Sequence, residues 1–402
     1  MNQIEISKMK SEMQDVLQRN ILRFWLENMI DHENGGFYGR IDGQGKLHPE
    51  ADKGAILNAR ILWSFSAAYR VLGNPEYLEA ATRAKEYFLQ HFIDEEYGGV
   101  YWSLDYKGRP IDTKKQFYAI GFAVYGMSEY SRATGDREAL DCAIQLYHCI
   151  EDHALDEEHN GYIEACTREW GEIADMRLSE FDANYPKSQN THLHIIEPYA
   201  NLYRIWKSPE LEASLRNIIG IFTDRILNPE THHLDLFFNM DWTRGAGHLE
   251  SYGHDIECSW LMHEAALVLD DSKVLEKVER VVIEVAKASE KGLRPDGSMI
   301  HEANLDTGHM DDDLHWWVQA ENVVGWFNLY QHFGNEAAFM KAQHCWDYIK
   351  KNLIDWENGE WFWSRHPDGS LNTVDDKAGF WKCPYHNSRM CLEIIERSEQ
   401  IY

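Results

Sequence analysis

"DHENGGFYGRIDGQG" (residues 31–45) is echoed 63 residues later by "DEEYGGVYWSLDYKG" (94–108), and 62 residues after that by "DEEHNGYIEACTREW" (156–170). Each stretch opens on an acid, turns at Asn or Gly and runs into aromatic residues. A fourth clear copy, "DWENGEWFWSRHPDG", starts at Asp355; two degenerate copies, "NPETHHLDLFFNMDW" from Asn228 and "RPDGSMIHEANLDTG" from Arg294, fill the interval. This is an internal repeat of six units. Open solenoids of helix hairpins repeat at about 34 to 47 residues, so a period near 62 argues for another architecture.

Between these loops lie segments of helical periodicity, paired by tight turns: "LGNPEY" (72–77), "ATGDRE" (133–138), "WKSPEL" (206–211), "LDDSKV" (269–274) and "FGNEAA" (333–338). Each turn carries Gly, Pro, Asn or Asp where one helix stops and the next is capped. Twelve helices are expected, at about 5–30, 51–73, 76–92, 113–134, 136–153, 188–206, 209–226, 249–270, 272–289, 313–334, 336–353 and 378–399. Two kinds alternate. "DREALDCAIQLYHCIEDH" (136–153) has a charged face and belongs on a surface, whereas "QFYAIGFAVYGMSEYSRA" (116–133) is apolar nearly all round and belongs inside. The pattern specifies an all-α fold, an (α/α)6 barrel of twelve helices with short β-hairpins in the loops at one end, and a single domain over residues 1–402.

Composition narrows the partners. Lys and Arg total 39 against 67 Asp and Glu, a net charge of -28, and such a surface repels a phosphate backbone or an anionic membrane. The opening "MNQIEISKMKSEMQ" has no apolar signal core, and no stretch approaches a membrane span. The expectation is a soluble, cytoplasmic protein, a monomer or weak homodimer, with no nucleic acid and no membrane as partner. Seven scattered cysteines without a CxxC pair read as free thiols. Fifteen Trp, 20 Tyr and 20 His stand out; flat indole faces suit sugar rings, although aromatic residues also fill cores.

Polar and aromatic residues out of place on the inner helices are the candidates for chemistry: Arg60, Tyr118, Asn190, His192, His194, His254, Glu257, Trp316, Trp317, Glu321, Trp381 and His386. Most fall in first turns, and in a ring of alternating helices those turns meet at one end. Helix N-termini there add positive partial charge, which lowers imidazole pKa values and favours an anionic intermediate. Each residue also has a plainer reading. Arg60 could pair with a buried Glu, His192 could point outward with His194 inward, and one of Trp316 and Trp317 could be packing. The run "MDDDLHWW" reads in part as a helix cap. In "SYGHDIECSW" (251–260), His254 and Glu257 at i and i+3 also suit a metal on one helix face.

With these residues set out, the chain resembles the N-acylglucosamine 2-epimerase superfamily, and within it the disaccharide branch acting on cellobiose or mannobiose. The resemblance rests on the sixfold repeat with "NTHLHIIEPY", "GHDIECSWL", "WWVQAE" and "FWKCPYHNSRMCLE" in order. It implies that His254 and His386 are the two catalytic histidines. It places Arg60, Tyr118, Asn190, His194, Glu257, Trp260, Trp317, Glu321 and Trp381 where the family binds or positions sugar, with Asp182 and Trp316 beside them.

Inverting C2 of an aldose requires opening the ring, removing the C2 proton and returning a proton to the opposite face. The site therefore needs two bases on opposite faces and a cation for the enediolate oxygens. Imidazole, with an ordinary pKa of about 6.5, serves as acid or base near neutrality. On this reading His254 and His386 exchange roles, Arg60 holds the enediolate, and Glu257 orients His254 or another nearby histidine. His194 assists ring opening, and Trp317 and Trp381 stack on sugar rings. Gly253 would turn the chain tightly into the helix and leave room for the sugar. No metal, nucleotide or redox cofactor is needed. The rival readings are an aldose–ketose isomerase converting mannose to fructose, an N-acylglucosamine 2-epimerase, a metal-dependent isomerase using His194, His254 and Glu257, a non-catalytic sugar-binding protein, and a glycoside hydrolase. The last would need two carboxylates from among Asp182, Glu257, Glu302, Asp312 and Glu321.

Overall fold

The computed structural model describes residues 2–180 and 182–401. Twelve helices run in sequence: α1 (2–28, with a π turn at 17–22), α2 (Ala55–Leu72), α3 (Pro75–His91), α4 (Phe117–Thr134), α5 (Arg137–His153), α6 (Gln189–Ile205), α7 (209–226), α8 (Tyr252–Leu269), α9 (Ser272–Ser289), α10 (Trp316–Phe333), α11 (Glu336–Asn352) and α12 (Tyr385–Gln400). The even-numbered helices pack each on the next, and α12 returns to α2. They form a closed inner ring, and the odd-numbered helices surround it. The expected (α/α)6 barrel is the observed one. The inter-helix turns are those read from the sequence: Gly73, Gly135 and Gly334 adopt left-handed φ at the ends of α2, α4 and α10, and Asn74, Asp136, Ser208, Asp271 and Asn335 cap the helices that follow. Among the described residues, no helix is long and apolar enough to cross a membrane. All seven cysteines are free.

The inner helices begin later than their periodicity suggested: α4 at 117 rather than 113, α10 at 316 rather than 313, α12 at 385 rather than 378. The preceding residues are extended because they pair with the loop of the next unit. Lys53–Gly54 pairs antiparallel with Ser103–Leu104, Lys115–Gln116 with Ala165–Cys166, Lys187–Ser188 with Phe237–Phe238, Leu249–Ser251 with Glu302–Asn304, and Leu314–His315 with Ser364–Arg365. A sixth bridge, Ile41 to Ala378, closes the circle. Local hairpins also form, as between Ser103–Leu104 and Pro110–Asp112 and between Glu302–Asn304 and His309–Asp311. The expected β-hairpins are thus accompanied by pairings that stitch successive loops together.

The acid that opens each clear repeat anchors this stitch. Asp31 Oδ1 accepts the backbone N–H groups of Glu33 and Asn34, while Oδ2 accepts Lys53 Nζ at 2.8 Å, with both side chains fully buried. Asp94 with Lys115 (2.8 Å), Asp156 with Lys187 (2.7 Å) and Asp355 with Lys377 repeat the arrangement. The degenerate units lack the pair. Asn228 retains the turn bonds to Glu230 and Thr231 and donates its Nδ2 to Asp235 Oδ1 rather than meeting a lysine, and the fifth unit reverses the charges as Arg294 with Asp312.

Candidate active site

A cavity of about 680 Å³ opens at the ring end where the inner helices start. Its wall includes Arg60, Tyr118, Asp182, Asn190, His194, His254, Glu257, Trp316, Trp317, Trp381 and His386. Eleven residues singled out in the sequence thus come together. Trp260 and Glu321 do not line the cavity. Both are buried deeper on α8 and α10, where Trp260 Nε1–H donates to Glu321 Oε2 at 2.9 Å. Trp260 is buried under the cavity floor, nearly two helical turns beyond His254.

Each of three imidazoles has its Nδ1 engaged. His194 Nδ1 bonds Glu197 Oε1 at 2.6 Å, His254 Nδ1 bonds Ser251 Oγ at 2.7 Å, and His386 Nδ1 bonds Glu321 Oε1 at 2.7 Å. Nε2 is then the nitrogen left for chemistry on each ring. Of the two histidines expected for Glu257, His254 takes Ser251 as its partner instead, and the nearby one is His386. Glu257 Oε1 instead accepts Arg389 Nη2 at 2.6 Å and lies 4.0 Å from His386 Nδ1. His192 takes no part: its ring bridges Ser188 O (2.7 Å) and Tyr162 N (3.0 Å).

Local sequence aims these groups. In "THLHIIEPY", Pro198 lacks the N–H that would bond the carbonyl of His194, and His194 departs from helical geometry at φ -92°, ψ 15°. Gly121 on α4 receives the displaced turn; a Cβ there would stand 2.3 Å from the His194 carbonyl oxygen. Gly253 serves differently from expectation. Its φ is not positive, and a Cβ would lie 2.7 Å from the Trp317 ring, so it makes room for the indole and not for a left-handed turn. Trp317 stands with its ring centroid 4.9 Å from His254 and 5.7 Å from His386, between the two imidazoles. Trp316 is mostly covered, packed on Trp363 at 4.6 Å.

Beneath the floor lies a buried ion network that sequence reasoning missed. Arg389 donates to Glu197 Oε2 (2.5 Å), Glu257 Oε1 (2.6 Å) and Glu321 Oε1 (2.7 Å). Three carboxylates on one guanidinium cannot all be ionised cheaply. Burial and the neighbouring Glu321 charge push Glu257 well above the usual carboxylate range. Glu321 is opposed by burial too, but Arg389 and His386 hold it down at about 2. Burial pushes His386 down to about 3 despite its Glu321 bond, and burial also lowers His194 and His254. Burial thus favours the neutral form of each imidazole, which can accept a proton at Nε2.

Arg60 is the counterpart above the floor. It donates Nη2 to Tyr118 Oη at 2.8 Å, its guanidinium faces Phe122 at 4.2 Å and Tyr385 at 4.8 Å, and its buried Nε has no hydrogen-bond partner among the described residues. Among the described residues no carboxylate pairs with it, so the plainer ion-pair reading of Arg60 does not hold. A desolvated cation without a counterion beside a cavity is a site for developing negative charge.

The cellobiose 2-epimerase of Bacteroides fragilis is 61% identical over 387 residues, which span 96% of this chain and 98% of that protein. The cellobiose 2-epimerase of Ruminococcus albus is 40% identical over 394 residues, covering 98% and 100%. The solved structure of the cellobiose 2-epimerase from Bacillus thermoamylovorans B4167 superposes with a TM-score of 0.92 at 42% identity, covering 97% of this chain and 100% of that one. Together with the barrel and its histidine-lined cavity, these relatives define a carbohydrate epimerase. The chain belongs to the N-acylglucosamine 2-epimerase (GlcNAc 2-epimerase) family, which it matches over residues 36–389.

Proposed function

We propose that this chain interconverts the C2 epimers of the reducing-end glucose or mannose in a β-1,4-linked disaccharide of the cellobiose or mannobiose type. Relatives named cellobiose 2-epimerase span nearly its whole length. The observation that carries the reading is that His254 on α8 and His386 on α12 flank Trp317 in one cavity with the carboxylate-free Arg60.

The steps follow from this geometry. His194, held by Glu197, passes a proton during ring opening to the aldehyde. One of His254 and His386 removes the C2 proton; the electron pair moves into the carbonyl to give a cis-enediolate, whose oxygens Arg60 and Tyr118 face. The other histidine, which has taken up a proton from solvent, gives it to the opposite face of C2 as the enediolate collapses to the aldehyde, and the proton on the first histidine returns to solvent. The two exchange roles in the reverse direction. Charge stays balanced: the enediolate sets against Arg60, and an imidazolium at His386 sets against ionised Glu321. Trp317 and Trp381 carry the sugar rings, Asn190 and Asp182 bond their hydroxyls, and Trp316, packed on Trp363, completes the wall. The C2 proton is acidified by the adjacent carbonyl, so the reaction requires no cofactor.

The test is incubation with cellobiose, mannobiose, mannose and N-acetylmannosamine in heavy water, with products read by NMR. Deuterium at C2 of an epimerised disaccharide is expected, and His254→Ala or His386→Ala should each lower turnover by roughly 10²- to 10⁴-fold. Full activity in both variants would overturn the two-base scheme. A ketose product from mannose would assign the isomerase activity instead.

A further inference from the structure

His301, Asp311 and His315 meet beside the cavity, outside the residues assigned to the reaction. His301 Nδ1 lies 2.7 Å from Asp311 Oδ2, His315 Nε2 lies 3.5 Å from the same oxygen, and the two imidazole centroids are 4.7 Å apart. The backbone fixes all three positions. The His301 N–H donates to the Asp311 carbonyl at 3.1 Å, Glu302–Asn304 pairs with His309–Asp311, and Leu314–His315 pairs with Ser364–Arg365. "MDDDLHWW" is thus no helix cap: His315 occupies the cap position of α10 without a side-chain cap bond.

His315 is the informative member. Its side chain is 15% exposed and, among the described residues, Nδ1 has no hydrogen-bond partner and Nε2 has the long approach to Asp311. One carboxylate oxygen thus faces a nitrogen of each imidazole, and the longer of the two approaches leaves His315 Nε2 open toward it. We propose that His301, Asp311 and His315 form a binding site for a divalent cation of the zinc class. Two imidazole nitrogens and one carboxylate oxygen suit Zn²⁺, Co²⁺ or Ni²⁺, and suit Mg²⁺ and Ca²⁺ poorly. Donors about 2.0–2.1 Å from a tetrahedral ion stand about 3.4 Å apart, and the observed 2.7 and 3.5 Å bracket that spacing. All three donor atoms lie within 4.8 Å of one another. Glu257, Glu321 and His386 are equally close, but there the Arg389 guanidinium already sits on both carboxylates. The ion ties the hairpin to the first turn of α10, where Trp317 lies 5.5 Å from His301.

The full chain, stripped with a chelator and dialysed, is titrated with Co²⁺ and followed by visible absorption. The expected result is one ion per chain, with ligand-field bands that zinc displaces and a melting temperature that rises on loading. Asp311→Asn, which keeps the side-chain volume, and His315→Ala should each weaken binding by more than about tenfold and abolish the melting shift. If His315→Ala does not fold, the isosteric Asp311→Asn carries the comparison. Absence of the bands at one equivalent, or the same bands and affinity in Asp311→Asn, would overturn the proposal; the former would leave water as the partner of His315 and the latter would place the ion elsewhere.

Discussion

Glu321 governs the cavity from below it. It accepts the indole N–H of Trp260, the Nδ1–H of His386 and a guanidinium N–H of Arg389, so one carboxylate sets the tautomer of an imidazole and holds charge against it. Glu321→Gln keeps the volume and removes the charge; kcat should fall roughly 10²-fold, with KM changed far less, because Glu321 does not line the cavity. The pH profile supplies an independent check. A depressed imidazole pKa means that the neutral, proton-accepting form persists as pH falls below 6.5. The acid limb of wild-type kcat/KM should accordingly lie well below the ordinary histidine range, in keeping with His386 at about 3. A limb centred near 6.5 would show that His386 is solvated in the free enzyme. At this scale the sequence revealed which residues were anomalous, since a charge or imidazole on an apolar helix is visible in one dimension. It did not reveal depth or partners. Glu197 and Arg389 sit inside the quoted motifs but pair across α6, α8, α10 and α12, and Ser251 bonds His254 from the strand residue before α8.

Elements owe their positions to the loops as much as to their own faces. The six helix pairs were legible because capping residues and apolar periodicity are local properties. The late starts of the inner helices were not, because strand pairing with the next unit competes for the same residues, and that partner lies some 50 residues away in the chain. The buried lysines were likewise passed over: Lys53, Lys115 and Lys377 follow their aspartates by 22, 21 and 22 residues but Lys187 follows Asp156 by 31, and a lysine in a loop reads as solvated. Breaking one partner of a buried pair leaves an uncompensated charge, at a cost of about 3–5 kcal/mol. Lys53→Met should show that loss in urea-induced unfolding, and adding Asp31→Ala to it should restore part of the stability; a single variant as stable as wild type would show the pair to be dispensable.

Over the whole molecule, a net charge of -28 acts on a compact ring. Self-repulsion on this scale opposes folding, and salt screens it with a Debye length of about 8 Å at physiological ionic strength. The melting temperature should therefore rise between low and physiological ionic strength, as calorimetry in a salt series would show; a fall would mean that the surface ion pairs outweigh the repulsion. Ring closure was legible from the period of the repeat, whereas the chemistry of the closing joint was not. That joint is built from α1, whose Asn20 donates to the Asp355 carbonyl, whose Trp25 donates to Glu360 and whose Glu12 accepts Trp346 and Lys350, while Ile41 bridges Ala378. The first and last segments of the chain meet there as neighbours, with Lys10 on Glu399 at 2.8 Å. The joint between last and first units is also a backbone pairing, a single bridge at Ile41 and Ala378 where the other five are short strand pairs, so a circular permutant opened at another inter-helix turn is expected to close the same ring, as circular dichroism and thermal melting would check.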